Sequence, residues 1–412
     1  MKGALLLVLT AVLVHAEPLT PERVNALHAQ IRENFFVPNP LPALDAKIHR
    51  RFAPAPGVVA EAVSYATEFG LRVPAILYLP DPLPPGGKIP GLVIVAGHGG
   101  DKYSWYSYFS GVAFARAGAA VLTYDQAGEG ERNTSRQSGT REHDQLKGEA
   151  AMARRLCGLM LTDVFQAVSY LAARPEVDAS HLGAGGYSMG SFVLALAGAV
   201  EPRLRACVLA GGGNLGGAGD YWDTSTKTMC QGLPSQSLRF LGDQAAVIYA
   251  LHAARGPTFV WNGRLDQVIT PQKNYEPFFD DLRARTAKLH GSMDGVFEYG
   301  FRDGSGHRPG FLEKPSVVWL ARQLQFPNWP EATIRTLPET HIGEWVKQNH
   351  IAVDQAYSDE VREGGTLAIG DHVPGYSRED LSVLTPAEWT QHQSELTFAA
   401  WTAAANAAAA RQ

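Results

Sequence analysis

Gly186-Tyr187-Ser188-Met189-Gly190 is the stretch whose reading decides the fold. It has the form G-x-S-x-G and lies between His181 to Tyr187, read as a strand, and Met189 to Val200, read as a helix. A strand that turns at once into a helix forces its corner residue into strained backbone angles. A side chain two residues to either side of that corner would clash, which is why glycines stand there. Ser188 is thereby pushed out at the C-terminal end of a sheet, at the start of a helix. Such a corner needs a parallel sheet around it.

Working outward, strands and helices alternate from about residue 60 to residue 326, the pattern of a parallel sheet covered on both faces. Val63 to Thr67 and Ala75 to Leu79 alternate like an opening hairpin, with Phe69-Gly70-Leu71 near its turn. Leu92 to Ala96 is a short apolar run suited to a buried strand; a helix follows through Phe109 to Arg116, then a strand over Ala119 to Thr123. Residues 149–173 have helical periodicity and stop at Arg174-Pro175, where proline forbids continuation. Later strands are expected over Ala206 to Ala210, Thr258 to Asn262 and Val296 to Tyr299, and a last helix over Lys314 to Gln325. The expectation is an α/β architecture over residues 59–327, a mostly parallel central sheet with helices on both faces. The Gly-rich segment at about 213–255 reads as a small cap insertion. Residues 17–58 read as a lead-in and residues 328–412 as an extension of unknown role.

A serine hydroxyl is a poor nucleophile at neutral pH and needs a base within hydrogen-bond reach. Where G-x-S-x-G forms this corner, the partners follow in the order serine, acid, histidine. Asp266 follows Trp261 to Leu265, just after a strand, and His307 follows Asp303-Gly304-Ser305-Gly306, just after the last strand. Both loops open on the same sheet edge. Asp303 is the alternative acid, close to His307 but equally suited to shaping a turn. Asp220 and Asp223 fall in the cap, and His290, His341, His350, His372 and His392 lack a Gly-flanked loop after a buried strand. Charge developing on a carbonyl oxygen needs preorganised donors. The Met189 N–H and the Gly100 N–H, from Gly97-His98-Gly99-Gly100-Asp101, are the candidates for an oxyanion hole, with His98 read as positioning the loop. Tyr103, Trp105, Tyr106 and Tyr108 after that loop, and Tyr221 and Trp222 in the cap, line either a carbohydrate or aromatic ester site or simply core. Of these, Tyr103, Trp105 and Trp222 are the substrate-contact candidates.

On these residues the segment from about 60 to 326 resembles the α/β-hydrolase superfamily. Within it the pattern is similar to secreted acetyl xylan esterases, dienelactone-hydrolase-like proteins and prolyl-oligopeptidase-type catalytic domains. Tyr124-Asp125-Gln126-Ala127-Gly128-Glu129-Gly130 resembles the Asp-x-x-Gly-x-Gly loop, and Arg174-Pro175-Glu176-Val177-Asp178 the usual entry to the nucleophile strand. Dienelactone hydrolases carry a cysteine where this chain has Ser188, and no propeller precedes the hydrolase segment. The favoured reading is a serine ester hydrolase working through Ser188, His307 and Asp266 and an acyl-enzyme, on short-acyl, acetyl-type esters, including those of carbohydrates. It needs no metal and no organic cofactor. A peptidase acting on short peptides and a non-catalytic secreted binding protein are the rival readings.

Composition bounds the partners. The chain has 412 residues, 45% hydrophobic and 19% charged, with a formal net charge of −5 and no long basic run. That profile fits a soluble globular protein and argues against nucleic acid or an anionic membrane as partner. Lys2, the apolar run Ala4 to Val14 and Val14-His15-Ala16 read as a secretory signal peptide cleaved after Ala16. No later segment is expected to approach a spanning length. Three cysteines, Cys157, Cys207 and Cys230, leave at least one thiol free, and their spacing carries no zinc signature. Cys207 reads as core, while a Cys157–Cys230 pairing stays open.

Overall fold

The computed structural model describes residues 17–84, 87–148, 150–269, 275–351 and 365–411, so the expected signal peptide, 1–16, lies outside the described residues. Nine strands form one sheet: β1 (Lys47–Ala55), β2 (Val58–Ala66), β3 (Arg72–Pro80), β4 (Ile89–Val95), β5 (Ala120–Tyr124), β6 (Val177–Tyr187), β7 (Leu204–Ala210), β8 (Thr258–Gly263) and β9 (Glu298–Arg302). Their order is β1-β2-β3-β5-β4-β6-β7-β8-β9. The pairings β1–β2, β2–β3 and β3–β5 are antiparallel, and every pairing from β5–β4 to β8–β9 is parallel. The expected opening hairpin is β2–β3, turned through Phe69 (φ 55°) and Gly70 (φ 76°).

Alternation along the strands fills two apolar layers. Val93 and Val95 of β4 face one, with helices α1 (Pro21–Asn34), α3 (Ala150–Ala173) and α4 (Met189–Val200). Leu92 and Ile94 face the other, with α2 (Trp105–Arg116) and the helix Lys314–Leu324. Burial on both faces explains why β4 is a continuous apolar run rather than an alternating one. α1 starts where Thr20 accepts the Arg23 N–H at 3.2 Å and Pro21 takes the first turn.

Four features differ from the expectation. The lead-in supplies β1, an edge strand that the sequence hides because its first three residues are all exposed and only from Arg50 do half-buried Arg50, Phe52 and Pro54 alternate with exposed Arg51 and Ala53. The helix Gln244–Ala253, expected in the cap, packs beside α4 as part of the helical layer. α3 is, by length and composition, apolar enough to cross a membrane, but 83% of its apolar window is buried in the protein, as suits a core helix. The C-terminal extension is packed against the hydrolase segment: Trp345 lies edge-on to Phe109 of α2 at 5.4 Å, and Trp401 is fully buried. Cys157, Cys207 and Cys230 are all free and buried, which closes the pairing question for this structure.

Candidate active site

Ser188 stands between β6 and α4 with φ 54° and ψ −115°, a region that disfavours any residue with a Cβ. The glycines around it are required by contact. A Cβ on Gly190 would come within 2.2 Å of the Val95 carbonyl oxygen, and one on Gly186 within 2.5 Å of the Gly190 oxygen. The corner is held from outside as well, because the Ser188 N–H donates to the Ala210 carbonyl at the end of β7, at 2.9 Å. Ser191 Oγ donates to Gly186 O at 2.9 Å and to Ala210 O at 2.7 Å.

The loops after β8 and β9 are stitched together by backbone. The Arg264 N–H donates to Arg302 O at 2.9 Å and the Leu265 N–H to Ser305 O at 2.8 Å. Gly263 lies so close that a Cβ there would meet Gly306 O at 2.0 Å. The result brings Asp266, His307 and Ser188 into one hydrogen-bonded series. His307 Nδ1 is 2.6 Å from Asp266 Oδ2, and His307 Nε2 is 2.8 Å from Ser188 Oγ. Asp266 is fully buried; its other oxygen accepts the N–H groups of Val268 at 2.9 Å and Ile269 at 3.3 Å. A carboxylate accepts, so Nδ1 carries the proton and Nε2 presents its lone pair to the serine hydroxyl. Asp303, the alternative acid, is 90% exposed and pairs with Arg264 at 3.3 Å. It does not reach His307 in this series.

Asn262 was not singled out by sequence. Its side chain donates to Gly212 O at 3.0 Å and accepts the Gly212 N–H at 3.1 Å, locking the loop after β7 to the end of β8. An asparagine after a strand carries no signal of this kind until the neighbouring strand is known. Gly211, with φ 58°, lets that loop pass under the imidazole, where a Cβ would lie 2.9 Å from His307 Cε1.

The donors facing the serine differ from expectation at one position. The Gly100 N–H donates to Gly97 O at 2.8 Å and is spent in closing the turn. Gly97 is the residue that approaches Ser188, its Cβ position 3.4 Å from Ser188 Cβ, and its own N–H donates to Tyr106 Oη at 3.0 Å. Among the described residues the N–H groups of Met189 and His98 have no protein acceptor. Met189 follows Ser188 directly at the start of α4, and His98 follows Gly97 in the loop after β4.

Residues 148–327 match the family model described as the prolyl oligopeptidase family. A search of curated protein sequences returned no match. Among solved structures, a methylesterase matches at 18% identity and TM-score 0.54, covering 82% of this chain and 73% of its own. A glucuronoyl esterase from Solibacter usitatus matches at 15% identity and TM-score 0.53, covering 76% and 96%. An acetyl xylan esterase from a Paenibacillus species matches at 17% identity and TM-score 0.50, covering 75% and 96%. The chain is a serine hydrolase of the α/β-hydrolase fold. Its site lies where open α/β sheets place ligands, beyond the carboxyl ends of the parallel strands.

The aromatic residues of this hydrolase correct a second expectation. Trp105 is 3% exposed and lies edge-on to Tyr106, and Trp222 is 1% exposed and stacks on Phe192 of α4 at 5.0 Å. Tyr103 is covered by the C-terminal extension: Arg378 lies 3.8 Å from its ring centroid and Ser382 Oγ 3.1 Å from its hydroxyl. All three are buried, which favours the core alternative over substrate contact. Beneath them Lys102 is fully buried between Asp125 at 2.5 Å and Glu131 at 2.9 Å. Burial opposes the ammonium charge, but the two carboxylates outweigh it and hold the group above the ordinary lysine range. The Asp-x-x-Gly-x-Gly loop is thus anchored to the loop after β4 by a buried ion network.

Proposed function

We propose that this hydrolase cleaves short-acyl, acetyl-type carboxylic esters, including those borne on carbohydrates, with Ser188 as nucleophile, His307 as base and Asp266 as the acid that orients it. The observation that carries the reading is the Ser188–His307–Asp266 hydrogen-bonded series at the carboxyl edge of the sheet. In this reading Ser188 Oγ attacks the carbonyl carbon while His307 Nε2 takes its proton. Asp266 holds the proton on Nδ1 and stabilises the imidazolium. The Met189 and His98 N–H groups receive the developing oxyanion. His307 then returns its proton to the leaving alcohol, and water attacks the acyl-enzyme with His307 again as base. The esterases that share the fold favour a carbohydrate ester as substrate. No bound metal or organic cofactor takes part in these steps.

A second reading, cleavage of short peptides, is favoured by the match of residues 148–327 to the prolyl oligopeptidase family. The two separate on a panel of acetylated sugars, p-nitrophenyl acetate and octanoate, and a peptidyl anilide. Acetyl esters are expected to have the highest kcat/KM, and Ser188→Ala to remain folded with turnover at background. Faster cleavage of the anilide would favour the peptidase, faster octanoate a lipase-like enzyme. Failure of a fluorophosphonate to label Ser188 would favour a non-catalytic binding protein.

The charged start, apolar run and small residue at Ala16 support export by a signal peptide. N-terminal sequencing of the mature protein should begin at Glu17; a retained Met1 would remove the proposal.

A further inference from the structure

Behind the loop that follows β4, four side chains from three separate segments converge. His98 comes from that loop, His143 and Asp144 from the turn Glu142–Gln145, and Cys230 from the turn Thr228–Gly232. Their donor atoms all lie within 4.8 Å of one another. Measured from Asp144 Oδ1, His98 Nε2 is at 2.9 Å, His143 Nε2 at 3.7 Å and Cys230 Sγ at 3.8 Å. His98, His143 and Cys230 are buried.

One of these atoms lacks what burial demands. His143 is fully buried, and its Nδ1 lies 2.8 Å from the Ala127 carbonyl oxygen. A carbonyl only accepts, so Nδ1 carries the proton and Nε2 is a bare lone pair. That lone pair has no hydrogen-bond partner and points into the cluster. A buried acceptor left without a donor is costly, and a cation would satisfy it. The other groups suit the same cation. Two imidazoles, a thiol and a carboxylate are a borderline-soft set of the kind that binds zinc. Zinc bonds of about 2.0–2.3 Å in a tetrahedron put ligand atoms about 3.3–3.7 Å apart. The His143–Asp144 separation lies at that spacing, the Cys230–Asp144 separation is 0.1 Å beyond it, and the His98–Asp144 contact would open by a few tenths of an ångström. The outer contacts are of the kind that orient metal ligands: the Ala127 carbonyl fixes the His143 tautomer, and Lys227 Nζ holds Asp144 Oδ2 at 3.0 Å, turning Oδ1 inward.

We propose that His98, His143, Asp144 and Cys230 form a closed four-ligand site for a zinc-class metal ion. With all four positions taken by protein, the ion acts as a structural staple and takes no part in the ester chemistry. It ties the loop carrying the His98 N–H to the 142–145 turn and to the 213–243 segment. Cys230 binds as thiolate, so loading releases a proton to solvent.

The test uses the untagged full chain, stripped with a chelator and titrated with zinc against a chromophoric competitor, and in parallel with cobalt(II). About one zinc ion per chain should bind, and cobalt should give a thiolate charge-transfer band in the near ultraviolet. Zinc should raise the wild-type Tm. Cys230→Ser should abolish the cobalt band, and His143→Ala should weaken zinc binding by at least about 10-fold. If either variant fails to fold, the wild-type titration decides alone. Wild-type protein that shows no saturable binding and no charge-transfer band would refute the site, leaving a metal-free hydrogen-bonded cluster. So would undiminished binding in the folded variants.

Discussion

Asp266 and Asp303 are each one loop away from His307 by sequence position, and their surroundings separate them. Asp266 is buried, receives two backbone N–H groups and meets His307 Nδ1 at 2.6 Å, whereas Asp303 extends into solvent. Replacing a buried triad acid by its amide inverts the tautomer preference of the histidine and can cost on the order of 10⁴ in turnover. Asp266→Asn should therefore lose kcat on that scale, while Asp303→Asn should stay near wild type, since exposed ion pairs contribute about 0–1 kcal/mol. Steady-state kinetics on both variants decide; a deep loss at Asp303 with normal turnover at Asp266 would reverse the assignment. The three residues of this series were legible because chain order and strand-end position are written in the sequence. Gly100 was misread for the opposite reason. Whether its N–H is free depends on a bond to Gly97 O inside the same turn, which a run of glycines does not reveal. Trp105 and Trp222 were ambiguous on their face, since an aromatic side chain near a site fits core and substrate contact equally.

At the level of elements, the strands and helices of the hydrolase segment were readable from apolar runs and proline stops, but the terminal pieces were not. The helix Phe398–Ala409 shows why. Two-thirds of its residues are alanine, and what fixes its place is Trp401, whose Nε1–H donates to Glu68 Oε2 at 3.2 Å from the far end of the chain. Glu68 lies in the β2–β3 turn and also accepts from Thr162 Oγ1 at 3.1 Å. Burial pushes its carboxyl up to about 7, against the lowering effect of those two hydrogen bonds. The sign of the consequence follows from linkage. With a folded value above the unfolded one, the folded state binds the extra proton. This contribution to stability is complete below the ordinary glutamate range and is lost as pH rises through about 7. Glu68→Gln removes the titration while keeping the shape. Relative to wild type it should gain stability between pH 5 and pH 8, on the order of 2 kcal/mol. Urea denaturation of both proteins at the two pH values measures this; a gap between them that does not change with pH would show that Glu68 is not the titrating group.

At the scale of the whole molecule, the question is whether residues 328–412 are an appendage or part of the fold. Sequence assigned them no role, because they lack the strand–helix alternation that organises the rest. Their contacts run to the most buried charges in the protein. The Glu131 carboxylate accepts the Val383 N–H at 2.9 Å and the Leu384 N–H at 3.0 Å while it holds Lys102 Nζ at 2.9 Å. Trp389 Nε1–H donates to the Glu131 backbone oxygen at 2.9 Å, and Arg378 donates to Ser138 Oγ at 2.7 Å and Arg136 O at 2.8 Å. Leu381 and Ile369 are fully buried in one apolar layer and Trp401 in the other. Removing the segment would open a large apolar face and leave Glu131 and Lys102, both at zero exposure, with two lost partners and new access to water. Each backbone donor lost to a buried carboxylate costs about 1.5–3 kcal/mol. The loop after β4, which carries His98 and rests on Lys102, lies one contact away, so damage there reaches the site. A chain ending at residue 327 should therefore be insoluble, or should unfold at least about 10 °C below the full protein. Cleavage of p-nitrophenyl acetate by any soluble fraction should fall with it. Thermal unfolding and activity of residues 17–327 against residues 17–412 measure both. A truncated protein that unfolds cooperatively at the full-length temperature with unchanged kcat would make the extension an independent appendage after all.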